Sequence, residues 1–203
     1  MKRATFAMAF ATLLVFGLTA RAQAQAEHYG SRPIEFNAHV GALFIDTPEG
    51  VDSDTDPMYG IRLGYNSQGG FGLAGNLDWI PGERNFGGTP VDINTWLYSG
   101  EINYTFPSPN RVHAFLAAGV GGATRTFSDI PGEDSIESET DVLIPVGGGI
   151  KWFSSGSSWG IRAEVRDNIV LETDVFDVEE GDTDTKARNH FELSGGISFF
   201  FGS

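Results

Sequence analysis

Between residues 191 and 201 the chain alternates without a break. Phe191, Leu193, Gly195, Ile197, Phe199 and Phe201 share one face of a strand, while Glu192, Ser194, Gly196 and Ser198 share the other. Successive side chains of a strand point to opposite faces, so this segment needs an apolar medium on one side and a polar, uncrowded space on the other. A soluble sandwich or barrel turns its apolar face inward. A transmembrane barrel turns it outward and keeps a polar interior. The remainder of the sequence has to choose between these two solutions.

The N-terminus bears on that choice. Lys2 and Arg3 precede a largely apolar, uncharged run from Ala4 to Ala20, and Ala22-Gln23-Ala24 and Ala24-Gln25-Ala26 supply small residues for cleavage. This is the pattern of an export signal, expected to span residues 1–25 with cleavage after residue 24 or 26. A membrane-anchoring helix would need about 20 apolar residues, more than precede Arg21. No cysteine is present, so neither disulfides nor thiolate metal ligands enter the argument. Loss of Lys2, Arg3 and Arg21 leaves ten basic residues against 27 acidic ones, a formal charge of −17 for residues 26–203. Such a balance excludes nucleic acid as a partner, and this length suits one domain.

Two-residue alternation, punctuated by Gly, Pro, Ser and Asn, predicts eight strands: Ile34 to Ile45, Met58 to Asn66, Phe71 to Ile80, Ile93 to Phe106, Arg111 to Phe127, Asp141 to Phe153, Trp159 to Val170 and His190 to Phe201. Their connections alternate in length. Ser67 to Gly70, Pro107 to Asn110 and Ser154 to Ser158 are short, whereas Asp46 to Pro57, Pro81 to Asp92, Ser128 to Thr140 and Leu171 to Asn189 are long. An up-and-down barrel puts every second connection at the same end, giving one end tight turns and the other long loops. The long connections also carry 19 of the 27 carboxylates, and they are expected to face the cell exterior.

Charge alternation predicts which face meets lipid. In the seventh strand Trp159, Ile161, Ala163, Val165 and Ile169 oppose Arg162, Glu164, Arg166 and Asn168, with Asp167 an exception near the outer rim. An Arg facing lipid at mid-bilayer costs about 2–4 kcal/mol, so the charged face belongs inside. Extending this parity to the other strands gives an expected interior network of Glu35, Arg62, Glu101, Lys151, Arg162, Glu164, Arg166 and Glu192. Both signs are present, and eight strands enclose a space that side chains can fill, so a plugged polar lumen is expected. Gly119 to Gly122 and Gly147 to Gly149 are expected to make room for the long interior side chains. Trp79, Trp96, Trp152 and Trp159 fall near strand ends, as aromatic girdles require, and Ile161 and Ile197 are expected near mid-membrane.

The export signal, the strand count, and the segments Tyr59-Gly-Ile-Arg-Leu-Gly-Tyr65, Phe115 to Gly122, Pro145-Val-Gly-Gly-Gly-Ile-Lys151 and Trp159 to Asp167 resemble the small outer-membrane β-barrel domain family, which takes in the OmpA barrel, OmpX and OmpW. The resemblance implies an all-β, eight-stranded antiparallel up-and-down barrel in the outer membrane of a Gram-negative-type bacterium. It also implies insertion by the barrel-assembly machinery, which would read Phe191, Leu193, Ile197, Phe199 and Phe201 as a C-terminal signal; here Gly202 and Ser203 follow the last aromatic. Outer-membrane lipid and lipopolysaccharide are the expected surroundings, and a monomer is the expected state.

Catalytic and metal chemistry find little footing. Asp52-Ser-Asp54-Thr-Asp56 opens like an EF-hand, but Pro57 stands where the loop needs Gly and Leu63 where it needs Glu. A looser divalent-cation site among the loop carboxylates stays open. His190, Glu192 and Ser194 share a face and include the residue types of a hydrolase triad, yet i, i+2 neighbours lie about 7 Å apart and are expected to be out of direct hydrogen-bonding reach. His28, His39 and His113 have no metal-ligand spacing and are expected exposed or satisfied in the lumen. No catalytic residue, cofactor or metal is assigned. The expected role is structural or surface interaction; a narrow channel for small or hydrophobic compounds is the alternative, and a soluble periplasmic ligand-binding barrel is the third reading.

Overall fold

The computed structural model describes residues 32–45, 55–86, 89–128, 138–155, 158–173 and 185–202. They form β1 (Ile34–Ile45), β2 (Thr55–Asn66), β3 (Phe71–Phe86), β4 (Thr89–Thr105), β5 (Val112–Ser128), β6 (Ser138–Phe153), β7 (Trp159–Thr173) and β8 (Thr185–Phe201). Each strand pairs antiparallel with its sequence neighbours, and β1 pairs with β8 from Ile34↔Phe201 to Ile45↔His190, closing the barrel. Closure leaves no unpaired edge, the condition for a sheet to stand in hydrocarbon.

The strand centres fall where alternation puts them, and the ends at the long connections run further. The clearest departure is the segment from Pro81 to Asp92, expected to be an irregular loop. Instead β3 and β4 stay paired through Phe86↔Thr89, so this connection is an extended hairpin. Pro81 and Gly82 read as a turn signal, but β2 leaves β3 after Tyr59↔Trp79, and beyond that point β3 is paired only with β4. A proline is tolerated where its missing N–H faces the unpaired side. Asp56 likewise lies within β2, buried and inward-facing, rather than in a loop.

At the other end the turns are tight. Between β2 and β3 the Ser67 amide donates to the Phe71 carbonyl at 2.7 Å and the Gly70 amide to the Ser67 carbonyl at 3.1 Å, while Gly70 adopts φ +85°, a conformation glycine takes without penalty. Asn110 donates its amide to the Ser108 hydroxyl at 3.2 Å in the β4–β5 turn. The loop stretches 46–54, 129–137 and 174–184, and with them most of the acidic loop positions, lie outside the described residues, as do the export signal and His28.

Burial is inverted relative to a soluble domain. Among the described residues, 22 polar or charged side chains are buried against 11 apolar ones, while 27 large apolar or aromatic side chains are exposed. A water-soluble monomer tolerates apolar patches of only a few hundred Å². The apolar faces point outward and Arg162, Glu164 and Arg166 point inward, which removes the soluble ligand-binding barrel.

Two aromatic belts bound the apolar wall. Tyr59, Trp79 and Trp96 pack in a row at the long-loop end, with ring centroids 5.8 and 6.4 Å apart. Phe71 with Tyr104 and Trp152 with Trp159 mark the short-turn end, at 4.8 and 5.6 Å. The belts put Ile161 and Ile197 only one outward position inside Trp159 and Phe199, nearer the interface than mid-membrane; Ala163, paired with Gly195, takes the middle position instead. The lateral shift arises because each strand's depth is set by its register with its neighbours, which periodicity alone does not give.

Candidate functional site

Among the described residues, polar chemistry is concentrated in the interior. All eight residues of the sequence-derived set face inward at 4% exposure or less, and they form one connected cluster. Glu164 is its hub. It accepts from Arg62 Nη1 at 2.8 Å and from Arg162 Nε and Arg166 Nη2 at 3.0 Å each. Arg166 reaches on to Glu101 at 3.1 Å and toward Glu192 at 3.9 Å, and Arg62 lies 3.9 Å from Glu101. Closer to the short turns, Glu35 accepts from Lys151 Nζ and the Ser198 hydroxyl at 2.8 Å each and from Asn66 at 3.0 Å, with Arg162 3.8 Å away. Within this set of eight, four cations face four carboxylates, and a fifth buried carboxylate, Asp78, is taken up by His39.

Neutral polar groups complete the cluster, and these the charge pattern did not single out. Asn76 accepts from Arg62 Nε and donates to Ser99 at 3.3 Å; Asn168 and Ser194 donate to Glu192 at 3.0 and 2.9 Å. His39 is buried with Asp78 at 2.7 Å and Asn37 at 3.1 Å. Gly60 separates His39 from Asp78 in the cross-strand row, and any side chain there would collide with both, so the missing Cβ is what lets the pair bridge two strands. Gly147 beside Arg166, Gly149 beside Glu164 and Gly119 beside Glu101 are also crowded, there chiefly by the neighbouring strand's backbone. His113 is also buried, 3.3 Å from the Phe106 carbonyl.

One geometric expectation fails here. Residues two apart on a strand do bond directly: Ser194 to Glu192 at 2.9 Å, and Arg162 and Arg166 to Glu164. Their Cα atoms are about 7 Å apart, but long side chains lean along the strand and meet. The contact does not assemble a triad, because Ser194 donates to a carboxylate and a nucleophilic serine donates to its base. Among the described residues no group of three acidic or histidine side chains is arranged to hold a metal ion. Asp52 and Asp54 of the EF-hand-like stretch lie outside the described residues.

Apolar side chains flank the charges on both sides, and neither group emerged from the sequence. Towards the long loops, Leu43, Met58, Ile80, Leu97, Ala123, Leu143 and Val170 form a buried cluster, one residue from each of β1 to β7. Ile80 and Leu97 follow Trp79 and Trp96 in the chain, so this collar lies inside the barrel at the height of the outer belt. Towards the short turns, Phe153 packs on Phe200 and His113 at 5.1 Å each, and Phe115 lies under the Arg162 guanidinium at 3.8 Å. Outside the collar, Arg125 meets buried Asp141 at 3.3 Å.

Residues 10–200 match the model of the outer membrane protein β-barrel domain. The chain belongs to that family. Membership puts the protein in the outer membrane of a Gram-negative-type bacterium and accounts for the apolar wall between its belts. Solved structures of the same fold include Neisserial surface protein A (TM-score 0.65, 17% identity, covering 83% of this chain and 97% of that one). OprG from Pseudomonas aeruginosa is similar at TM-score 0.56 and 11% identity, over 85% and 98%. Ail, the attachment invasion locus protein of Yersinia pestis, is similar at TM-score 0.53 and 14% identity, over 83% and 99%. At these identities the likeness is one of fold. No curated protein sequence matches the chain.

Proposed function

We propose that this family member is a non-enzymatic, non-conducting structural barrel, monomeric in the membrane, that displays acidic loops for surface interaction among lipopolysaccharide. The observation carrying the proposal is the interior: a charge-matched cluster between an apolar collar and an aromatic layer. An ion would have to cross apolar constrictions that exclude water and then compete with buried ion pairs. The exposed alternate positions of β8, Phe191, Leu193, Ile197, Phe199 and Phe201, are proposed as the assembly signal read by the insertion machinery. In this reading the short turns are periplasmic.

Planar-bilayer recording tests the closed lumen. Steady porin-like conductance from the purified protein would reject it, and a silent bilayer containing inserted barrel is the expected result. Orientation is tested with a membrane-impermeant thiol reagent on intact cells: Ser53→Cys and Asp182→Cys should label, and Asn110→Cys should not.

One observation favours a second reading, a narrow lateral path for small or hydrophobic compounds. The β5–β6 ladder lapses between Ala118↔Val146 and Gly121↔Leu143, where Pro145 has no N–H to offer. If that seam opens, a cysteine pair at Val120 and Ile144 should cross-link only in part, and uptake of a small solute into liposomes should fall when the pair is closed.

A further inference from the structure

The lipid-facing wall carries a dent that the barrel itself does not require. Leu63, Gly75, Gly100 and Val120 form one cross-strand row over β2 to β5. The two central glycines face outward, and a Cβ built on either meets nothing within 4 Å. Inward-facing glycines such as Gly60 and Gly149 are forced by their neighbours; Gly75 and Gly100 are not. Glycine within a strand is destabilising relative to alanine, and where it marks neither a bulge nor a bend it leaves the backbone open to close approach; the β3–β4 ladder runs unbroken through Gly75↔Gly100, without a bulge.

The surroundings fit a ligand rather than a flat wall. A groove of about 730 Å³ opens over these glycines, within the range of roughly 300–1,000 Å³ typical of small-molecule sites. Leu63, Leu73, Ile102 and Val120, which border it, are the four most exposed large apolar side chains among the described residues, at 61 to 62%. Each stands beside a missing neighbour. The groove runs from mid-wall toward Ile34 and Tyr65, beside the short-turn aromatic belt, and is continuous with the surface already in contact with the bilayer.

We propose that this groove holds an acyl chain of a glycerophospholipid from the periplasmic leaflet, an assignment of leaflet that rests on the orientation proposed above. A second copy of the chain is the poorer fit. The groove is lined by 13 residues, four of them at inward-facing positions, and is a local concavity rather than a broad complementary face. The lining is apolar, and a flexible hydrocarbon tail fills an irregular dent without needing shape complementarity from a partner.

The test uses the full mature barrel reconstituted in vesicles of palmitoyl-oleoyl phosphatidylethanolamine and phosphatidylglycerol, extracted into mild detergent and weighed by native mass spectrometry. The unmodified protein should keep one phospholipid. Gly75→Leu with Gly100→Leu, which fills open space and should leave folding intact by gel mobility before and after boiling, should lower that occupancy at least fivefold. Gly195→Leu, an outward glycine on β8 with its nearest neighbour 3.9 Å away, should leave it unchanged. Equal retention by the double variant would overturn the proposal, as would dimers captured through Val120→Cys and abolished by the two leucines. Vesicles that also carry lipid A separate the two layers of the argument: groove-dependent retention of lipid A in place of phospholipid would overturn the leaflet while leaving the groove in use.

Discussion

Removal of the Glu164 carboxylate is the perturbation to which the interior should be most sensitive. Three guanidinium groups donate to it at 2.8 to 3.0 Å, and every group concerned is buried. Glu164→Ala leaves the four cations of the cluster facing Glu35, Glu101 and Glu192, with every remaining head group buried. The loss is less than the sum of three charged hydrogen bonds, because each arginine keeps a second partner: Arg166 has Glu101 at 3.1 Å, Arg62 has Asn76, and Arg162 has the Phe115 ring and Glu35 at 3.8 Å. Removing one partner of a buried ionic cluster typically costs about 3–5 kcal/mol, and this site belongs in that range. Arg162→Ala removes one donor and leaves Glu164 two others, so about 1–3 kcal/mol is expected. Arg111→Ala, at an exposed turn position, should stay within about 0.5 kcal/mol.

Urea unfolding of the three variants in liposomes, followed by tryptophan fluorescence and by gel mobility with and without boiling, reads these differences directly. The double variant Arg162→Ala with Glu164→Ala should cost less than the sum of the two single changes, since the second removes a charge the first left exposed. A cost below about 1 kcal/mol for Glu164→Ala, equal to that of Arg111→Ala, would refute the reasoning, because it would mean that water reaches the carboxylate site and screens it.

Ala163→Arg on the lipid-facing wall should cost about 2–4 kcal/mol, and Ile161→Arg nearer 1 kcal/mol because it is one outward position from the Trp159 belt; equilibrium unfolding in the same liposomes ranks them. Gly149→Ala should destabilise by about 1–3 kcal/mol, since its Cβ would strike the Ala163 carbonyl, whereas Gly100→Ala should be neutral or stabilising by up to about 1 kcal/mol. Ser198→Arg should prevent the native mobility shift altogether, because Ser198 is buried between Glu35 and Asn37 and the interior there has no room for a longer side chain.

How far the sequence discloses this fold depends on the range of the interaction involved. Alternation is a property of neighbours along one strand, so the eight strands and the inward set around Arg162, Glu164 and Arg166 can be read directly from the sequence. Leu43, Leu97 and Phe200 fall on inward positions by the same parity, yet they carry no charge and the pattern passes over them. What marks them is height: the collar exists only once seven strands are set at their registers, and register is a long-range quantity. The same holds for Ile161, whose depth is fixed by Trp159 and Phe199, and for Gly75 and Gly100, which become one dent only when paired. Proline misled at Pro81 because its punctuating force depends on whether a second strand needs its N–H.

The collar and the charge cluster also explain one another. Eight strands leave an interior that side chains can fill, and the outward demand for apolar side chains passes to alternate residues the task of filling it. Long charged side chains reach the axis, and they are tolerable only where cations and carboxylates match and every head group is bonded. Within the cluster they match four to four, although the whole chain carries −14. The surplus negative charge must therefore lie outside this cluster, as Asp56 and buried Asp141 beside Arg125 begin to show beyond the collar. In the proposed closed lumen, the apolar side chains flanking the pairs keep competing water and ions from them, so their strength depends on Leu43, Leu143 and Phe200 as much as on the charges themselves. Leu143→Ala should accordingly weaken the barrel by more than its lost contacts, about 2–5 kcal/mol, and should make the added cost of Glu164→Ala smaller in the double variant. Strict additivity of the two would show that the layers act independently.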